Sequence, residues 1–248
     1  MPYVPATPSL RRALQRERRW VYLGASALAG VAGYVNVVLL GFFHVPVSHM
    51  SGAVSRLSLD VAAVDVADLL LVLAILGGFL FGAMLSGIVI GGTQLIPGRR
   101  YGVALVFEGI LLAIATLLLV RGNPAGVPLA AMACGVQNAM ASSYYGLVIR
   151  TTHVTGIVTD LGVLLGHWLR HRRVRGWKLF LLLCILLSFF TGGSFGALAF
   201  PRLGMLSLAL PSAGCLLAGI AYFAWQHRRH GHNLQLEEHV NRRGRAED

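Results

Sequence analysis

The chain has 248 residues, of which 56% are hydrophobic and 12% charged, and its mean hydropathy is +0.68. Soluble domains contain about 45–50% apolar and about 25% charged residues, so this composition excludes an ordinary water-soluble domain. The formal net charge of +11 would suit a nucleic-acid-binding protein. No basic groove with interleaved aromatic residues accompanies that charge, and we predict no nucleic-acid partner.

Six apolar segments are long enough to cross a bilayer as helices, which takes about 20 mostly apolar residues each. Backbone polar groups in hydrocarbon must be paired within the segment, so each run is predicted to be helical. In chain order the predicted spans are Trp20 to Phe43, Leu69 to Leu95, Tyr101 to Val120, Val127 to Val148, Leu179 to Phe200 and Met205 to Trp225. The predicted fold class is an all-α, polytopic membrane helical bundle of about six transmembrane helices.

The first span could be mistaken for a cleavable signal peptide. Five arginines precede it, and Ala27-Leu28-Ala29 resembles a small-residue cleavage site. The apolar run continues to Phe43, which is too long for an ordinary signal sequence, so we predict an uncleaved first span.

Two further segments, Val45 to Asp60 and Thr152 to His167, are apolar but carry His, hydroxyl, Arg and Asp side chains. They are shorter and more polar than a bilayer-spanning helix requires. We predict that both are re-entrant or interfacial helices.

Positive charge is distributed unevenly over the loops that six spans would create. One side carries the basic N-terminal segment, Arg99 and Arg100, the basic loop 170–178 and the basic tail, whereas the other carries little more than Arg56, Arg121 and Arg202. Short cytoplasmic loops are enriched in Lys and Arg. We therefore predict a multi-pass protein of the bacterial cytoplasmic (inner) membrane with both termini in the cytoplasm, and with lipid as the partner of much of its surface.

Three short motifs recur in the same order in the two halves of the chain. Gly33-Tyr34-Val35-Asn36 matches Gly135-Val136-Gln137-Asn138 at an offset of 102, and His49-Met50-Ser51-Gly52 matches His153-Val154-Thr155-Gly156 at an offset of 104. The segment 78–83 matches 192–197 at an offset of 114. Collinear matches indicate an internal repeat.

Three spans per half would place the second repeat upside down relative to the first, which is the inverted-topology architecture of many transporters. The predicted organisation is a basic cytoplasmic segment (1–19), a first membrane repeat (20–121), a second membrane repeat (122–226) and a basic cytoplasmic tail (227–248). Counting the short segments as spans would give parallel repeats instead, but would scatter the basic loops over both faces.

The motifs Gly-Tyr-x-Asn, His-Met-Ser-Gly, Gly-x-Gln-Asn-Ala and Thr-Thr-His-Val-Thr-Gly together resemble the YoaK-like family of uncharacterised bacterial membrane proteins, from about Trp20 to Trp225. The resemblance implies a membrane location and this fold, but no activity. The chain departs from the family pattern at Asn36, where an acidic residue is usual, and at Ser51-Gly52-Ala53, where Thr-Gly-Asn is usual.

Polar side chains within or beside the spans are the candidates for a binding site, because they are costly in a membrane. The amides can bind a solute or link helices, and the glycines can start or break a helix at membrane depth or form simple capped turns. The histidines can titrate near neutral pH. The predicted substrate-binding residues are Asn36, His49, Ser51, Gly52, Gln137, Asn138, Thr152, His153, Thr155 and Gly156.

Two acidic residues are predicted to couple an ion or proton to that site. Glu108 lies in the third span with no basic residue within a helical turn, so it must be neutral, hydrated or paired across helices. Asp160 holds the place in the second half that Arg56 holds in the first, at an offset of 104. A charge pair between them is one possibility.

The remaining features favour a structural role. The pairs Gly78 with Gly82 and Gly192 with Gly196 are small-x-x-x-small motifs, which let helices pack closely. The three cysteines match no metal or redox pattern, and the tail histidines favour a solvated basic tail. No nucleophile-elbow, phosphate-loop or zinc-protease motif is present. We predict no enzyme activity, no metal and no cofactor.

The favoured function is secondary transport or permeation of a small solute or ion through a midplane site formed by both halves. The alternative is a membrane scaffold or partner-binding subunit that transports nothing, in which the repeat only builds a stable bundle. The oligomeric state is not predicted by any of these patterns.

Overall fold

The computed structural model describes residues 8–90, 99–142, 151–171 and 176–244, and the side chains of 21–90, 100–141, 151–170 and 176–227. Within these ranges all the regular secondary structure is helical, as predicted, and there is no strand. The α-helices are α1 (Pro8–Phe43), α2 (Met50–Ala63), α3 (Val66–Ile90), α4 (Arg99–Val120), α5 (Gly126–Ser142), α6 (Val154–His171), α7 (Gly176–Leu203) and α8 (Ala209–Gly244). A short 3-10 helix, Gly204–Leu208, joins α7 to α8.

Four segments of the described chain are long and apolar enough to cross a bilayer. They are Val21–Phe43, Val66–Ile90, Arg100–Val120 and Gly176–His227. The last has 52 residues, which would make a helix of about 78 Å if it were straight. It bends at Gly204, whose φ of 55° lies in the left-handed region that favours glycine.

Many large apolar side chains lie on the outer surface of the bundle. Leu80, Ile88 and Phe190 are about two-thirds exposed (71%, 70% and 68%), and many other large apolar side chains are exposed with them. Apolar patches of this extent on a monomer mark a surface that another apolar phase covers. Together with the four candidate spans, this confirms a multi-pass integral membrane protein.

Glycines bring two pairs of helices into backbone contact. α1 packs most extensively on α7, and α3 on α5. A Cβ at Gly33 would overlap the carbonyl of Phe189, and one at Gly135 would overlap the carbonyl of Phe79. Gly82, one of the predicted packing glycines, also lies in backbone contact, since a Cβ there would overlap the carbonyl of Met132. Small residues allow this close approach.

Equivalent glycine contacts occur in the two halves. They align α7 with α3 one helical turn away from the alignment that the sequence matches gave. Gly33 on Phe189 corresponds to Gly135 on Phe79, which sets α7 against α3 at an offset of 110. The sequence match had suggested 114. Four residues are about one helical turn, so an alignment on glycines alone slips easily to the next small residue.

The two short predicted helices are present, as α2 and α6. They begin at Met50 and Val154, several residues after the start predicted for the first and two after that for the second. The residues just before each helix form turns instead. Both helices leave one face exposed, for example Val54 on α2 and Val158 on α6.

Candidate functional site

A buried amide in α1 holds the turn that precedes α2. Asn36 Oδ1 accepts hydrogen bonds from the backbone N–H of Ser48 (3.2 Å) and from its hydroxyl (3.0 Å). Asn36 and Ser48 are both buried, where unpaired polar groups are costly. The amide therefore fixes the position of residue 48 and of the histidine that follows it.

The second half contains the corresponding link. Thr152 Oγ1 lies 3.2 Å from Asn138 Oδ1 and donates to it, so an amide in α5 holds the turn before α6. Asn138 follows Asn36 by 102 residues, and Thr152 follows Ser48 by 104. These are the offsets of the sequence matches, so the same amide-to-hydroxyl anchor occurs once in each half.

Each anchored turn ends in a histidine that starts a short helix. The carbonyl of His49 accepts from Ala53 N (3.1 Å), and that of His153 accepts from Ile157 N (3.1 Å). His49 is the N-cap of α2, and its side chain makes no capping hydrogen bond. Its ring is instead 3.2 Å from Ser48 Oγ and stands edge-on to Phe189 on α7.

The two histidines, 104 residues apart in sequence, lie close enough to interact electrostatically. His49 is half-buried and outside the candidate spans, and His153 is exposed. Burial, and then the positive charge of His153, lower the pKa of His49 below its ordinary value. The structure thus brings predicted site residues from both halves to one place.

A glycine follows each histidine by three residues, and space for a side chain is short at both positions. A Cβ at Gly156 would overlap the His153 ring, and one at Gly52 would lie 3.0 Å from Pro46 Cγ. Ser51 and Thr155 are exposed, and their carbonyls accept hydroxyl bonds from residues one turn later. They lie in the first turn of α2 and α6, next to the histidines.

Gln137 is fully buried and links helices. Its Nε2 donates to the carbonyl of Leu28 on α1 at 2.6 Å, whereas its Oε1 has no partner among the described residues. The sequence left two roles open for this amide, binding a solute and linking helices. The bond to α1 is a link between helices.

Glu108 forms a second buried polar centre, on α4. It is 1% exposed and hydrogen-bonded to Cys215 on α8, with Cys134 on α5 close by. Its Oε2 has no partner within the described part of the chain. A carboxyl group placed this way can exchange a proton or accept a cation, as the sequence suggests.

The suggested charge pair between Arg56 and Asp160 does not form. Arg56 binds Asp60 (2.8 Å) and Asp68 (2.6 Å), and Asp160 binds Lys178 (3.3 Å). Arg56 and Asp160 therefore each pair with the helix that follows their own short helix, α3 and α7 respectively. Asp160 is about half exposed.

Sequence reasoning missed Ser48 and Phe189. A signal for Ser48 existed, because the offset of 104 pairs it with Thr152, a predicted site residue. Phe189 is one of many phenylalanines in the apolar spans, and no pattern distinguished it.

Helices that span a bilayer, apolar outer faces and a polar centre between them define this chain as an integral membrane protein with several transmembrane helices. It belongs to the family described as "Protein of unknown function (DUF1275)", which matches residues 24–221. The chain is 31% identical to the "UPF0700 transmembrane protein RA0705" of Rhizobium meliloti (strain 1021), over 88% of this chain and 95% of that protein. These matches confirm the resemblance to an uncharacterised membrane family. No solved structure matches the chain.

Proposed function

We propose that this protein is a secondary transporter or permeation pathway for a small solute or ion, and that a small anion suits its site best. The approach of His49 to His153, each at the start of a short helix, carries the proposal. Each histidine follows a turn that an amide holds, the buried Asn36 in the first half and the half-buried Asn138 in the second. A site assembled from corresponding parts of two halves is typical of transporters.

The proposal includes six spans in two inverted halves. Residues Gly176–His227 are divided by the bend at Gly204 into two apolar helices, and α5 is apolar over its 17 described residues. With the three other candidate spans this makes six. Recurrence of the same helix contacts in both halves supports the repeat, and the loop charge supports inversion, with both termini in the cytoplasm of a bacterium.

The preference for an anion follows from the electrostatics of helix ends. Helix N-termini carry partial positive charge and exposed N–H groups. The α2 and α6 N-termini carry histidines that are near enough to interact electrostatically, and an imidazole N–H can donate a hydrogen bond to an anion. Glu108, in the separate buried centre on α4, is the candidate for proton coupling to this site, and Asp160, being exposed and paired with Lys178, has a lesser claim.

The test is flux in proteoliposomes that contain the purified chain. Light scattering after an osmotic step would compare potassium chloride and potassium nitrate, with valinomycin present so that the cation can follow the anion, with glycerol and urea, and an internal pH dye would follow protons. We expect anion entry that protein-free vesicles lack. His49→Asn, His153→Asn and Thr152→Ala should reduce it severalfold, and Glu108→Gln should remove the accompanying proton movement.

Thr159→Ala is the matched control for Thr152→Ala. Thr159 is exposed, and among the described residues its hydroxyl bonds only to the carbonyl of Thr155 on the same helix, so its loss should not change flux. Folding of every variant is checked by thermal denaturation. Equal flux in wild type and in all the site variants would overturn the assignment of these residues to a binding site. Absence of flux for every probe would favour the scaffold alternative.

A further inference from the structure

An apolar cavity of about 490 Å³ lies between α1, α4, α5 and α8, away from the two histidines. Its walls include Leu23, Leu28, Tyr101, Met140 and Tyr222. The volume lies in the usual range for ligand sites, about 300–1,000 Å³. Cys215, the partner of Glu108, also reaches the wall.

Small residues create the space. Gly24 on α1 and Gly214 on α8 both line the cavity, and a Cβ added at either would meet no atom within 4 Å. Leu23 is 63% exposed, so the cavity is open at the side of the bundle. In a membrane protein that side faces lipid.

Arginine pairs lie at the same end of three of the four helices. Arg18 and Arg19 precede Leu23 by about one turn, Arg99 and Arg100 immediately precede Tyr101, and Arg228 and Arg229 follow Tyr222 by about two turns. Because Leu23, Tyr101 and Tyr222 line one cavity, these helix ends lie on one side of the bundle. Along each of these three helices the arginine positions therefore follow directly beyond the part that lines the cavity.

From this arrangement we infer that the cavity binds one acyl chain of an anionic phospholipid, whose phosphate lies at the arginine-bearing helix ends. An acyl chain gains little by leaving bilayer hydrocarbon for another apolar site. The charge of the headgroup then decides which lipid is retained, since basic groups near a membrane surface attract anionic lipids.

The experiment is native mass spectrometry of the purified full chain after incubation with phosphatidylglycerol or phosphatidylcholine of identical acyl chains. We expect phosphatidylglycerol adducts to survive removal of detergent and phosphatidylcholine adducts to be much rarer. Gly24→Leu and Gly214→Leu fill the cavity from two different helices, α1 and α8, and should each lower phosphatidylglycerol retention about fivefold or more. Gly87→Leu is the matched control, because Gly87 also has open space around it but lies on α3, outside the cavity.

A second set of variants tests the headgroup. Arg18→Gln with Arg19→Gln, and Arg228→Gln with Arg229→Gln, should remove the preference for phosphatidylglycerol over phosphatidylcholine while the cavity stays intact. Unchanged retention in both filling variants, equal retention of the two lipids by wild type, or retention of oleate but not of phosphatidylglycerol would each overturn the inference. Thermal denaturation separates these outcomes from misfolding.

Discussion

The carboxylate of Asp160 on α6 lies 3.3 Å from the ammonium group of Lys178 on α7. The first half has the same link with the charges exchanged, since Arg56 on α2 binds Asp68 on α3 at 2.6 Å. Asp160 follows Arg56 by 104 residues and Lys178 follows Asp68 by 110, the offsets that the turns and the helix packing give. Ion pairs at corresponding positions support the proposed two-half architecture independently of the glycines.

Replacing the basic partner should affect the two ion pairs unequally. In Arg56→Met the side chain of Asp60, only 4% exposed, loses its partner, and an unpaired buried charge is strongly destabilising. In Lys178→Met the partner Asp160 is 51% exposed, and exposed pairs contribute little. Thermal denaturation in detergent should therefore show a clear loss of stability for Arg56→Met and little change for Lys178→Met. Equal losses would contradict this explanation.

Neighbouring glycines on α3 should respond differently to alanine. A Cβ at Gly78 would overlap the carbonyl of Pro128 on α5, whereas one at Gly77 meets no atom within 4 Å. Gly78→Ala should lower stability by about 1–3 kcal/mol because α3 and α5 must separate. Gly77→Ala should be neutral or slightly stabilising, since alanine favours helix more than glycine does. The two melting temperatures, measured side by side, test the packing directly.

Removing the amide of Asn36 should destabilise the first anchored turn. Asn36→Ala leaves the N–H and the hydroxyl of buried Ser48 without their acceptor, which costs about 1–3 kcal/mol. For a chain of this size each 1 kcal/mol lowers the melting temperature by about 2–4 °C. Ser55→Ala is the control, because within the part of the chain that the structure describes its exposed hydroxyl bonds only to the carbonyl of Ser51. An unchanged melting temperature for Asn36→Ala would show that water replaces the amide.

The fold should lose stability on acidification, partly through His49. Burial and the charge of His153 lower the pKa of His49 in the folded state, so the unfolded chain binds more protons as the pH falls through the histidine range. Stability then rises with pH wherever the unfolded state binds more protons. We expect the melting temperature to fall from about pH 7.5 to about pH 5.5, and His49→Asn to reduce that fall.

His153→Asn gives a second test of the pH dependence of the melting temperature. It removes the lesser of the two causes that act on His49, so it should reduce the acid sensitivity less than His49→Asn does. The same acid sensitivity in wild type and His49→Asn would assign the effect to other groups.

The sequence by itself predicted the helical membrane fold, two short helices outside the spans, the packing role of Gly78 and Gly82, and the motifs that carry the two anchored turns. These depend on the length of apolar runs, on local residue types and on spacing along one helix, all of which are properties of contiguous chain. Even the short helices were located to within a few residues of Met50 and Val154.

Only the tertiary structure decided which distant groups meet. The bond from Gln137 to Leu28 spans 109 residues, and the approach of His49 to His153 joins two turns from opposite halves. The one-turn change in the register of α7, and the choice of Asp68 rather than Asp160 as the partner of Arg56, have the same origin. A helix presents several similar faces and turns, so its own sequence allows several partners. Close packing against neighbouring helices selects among them.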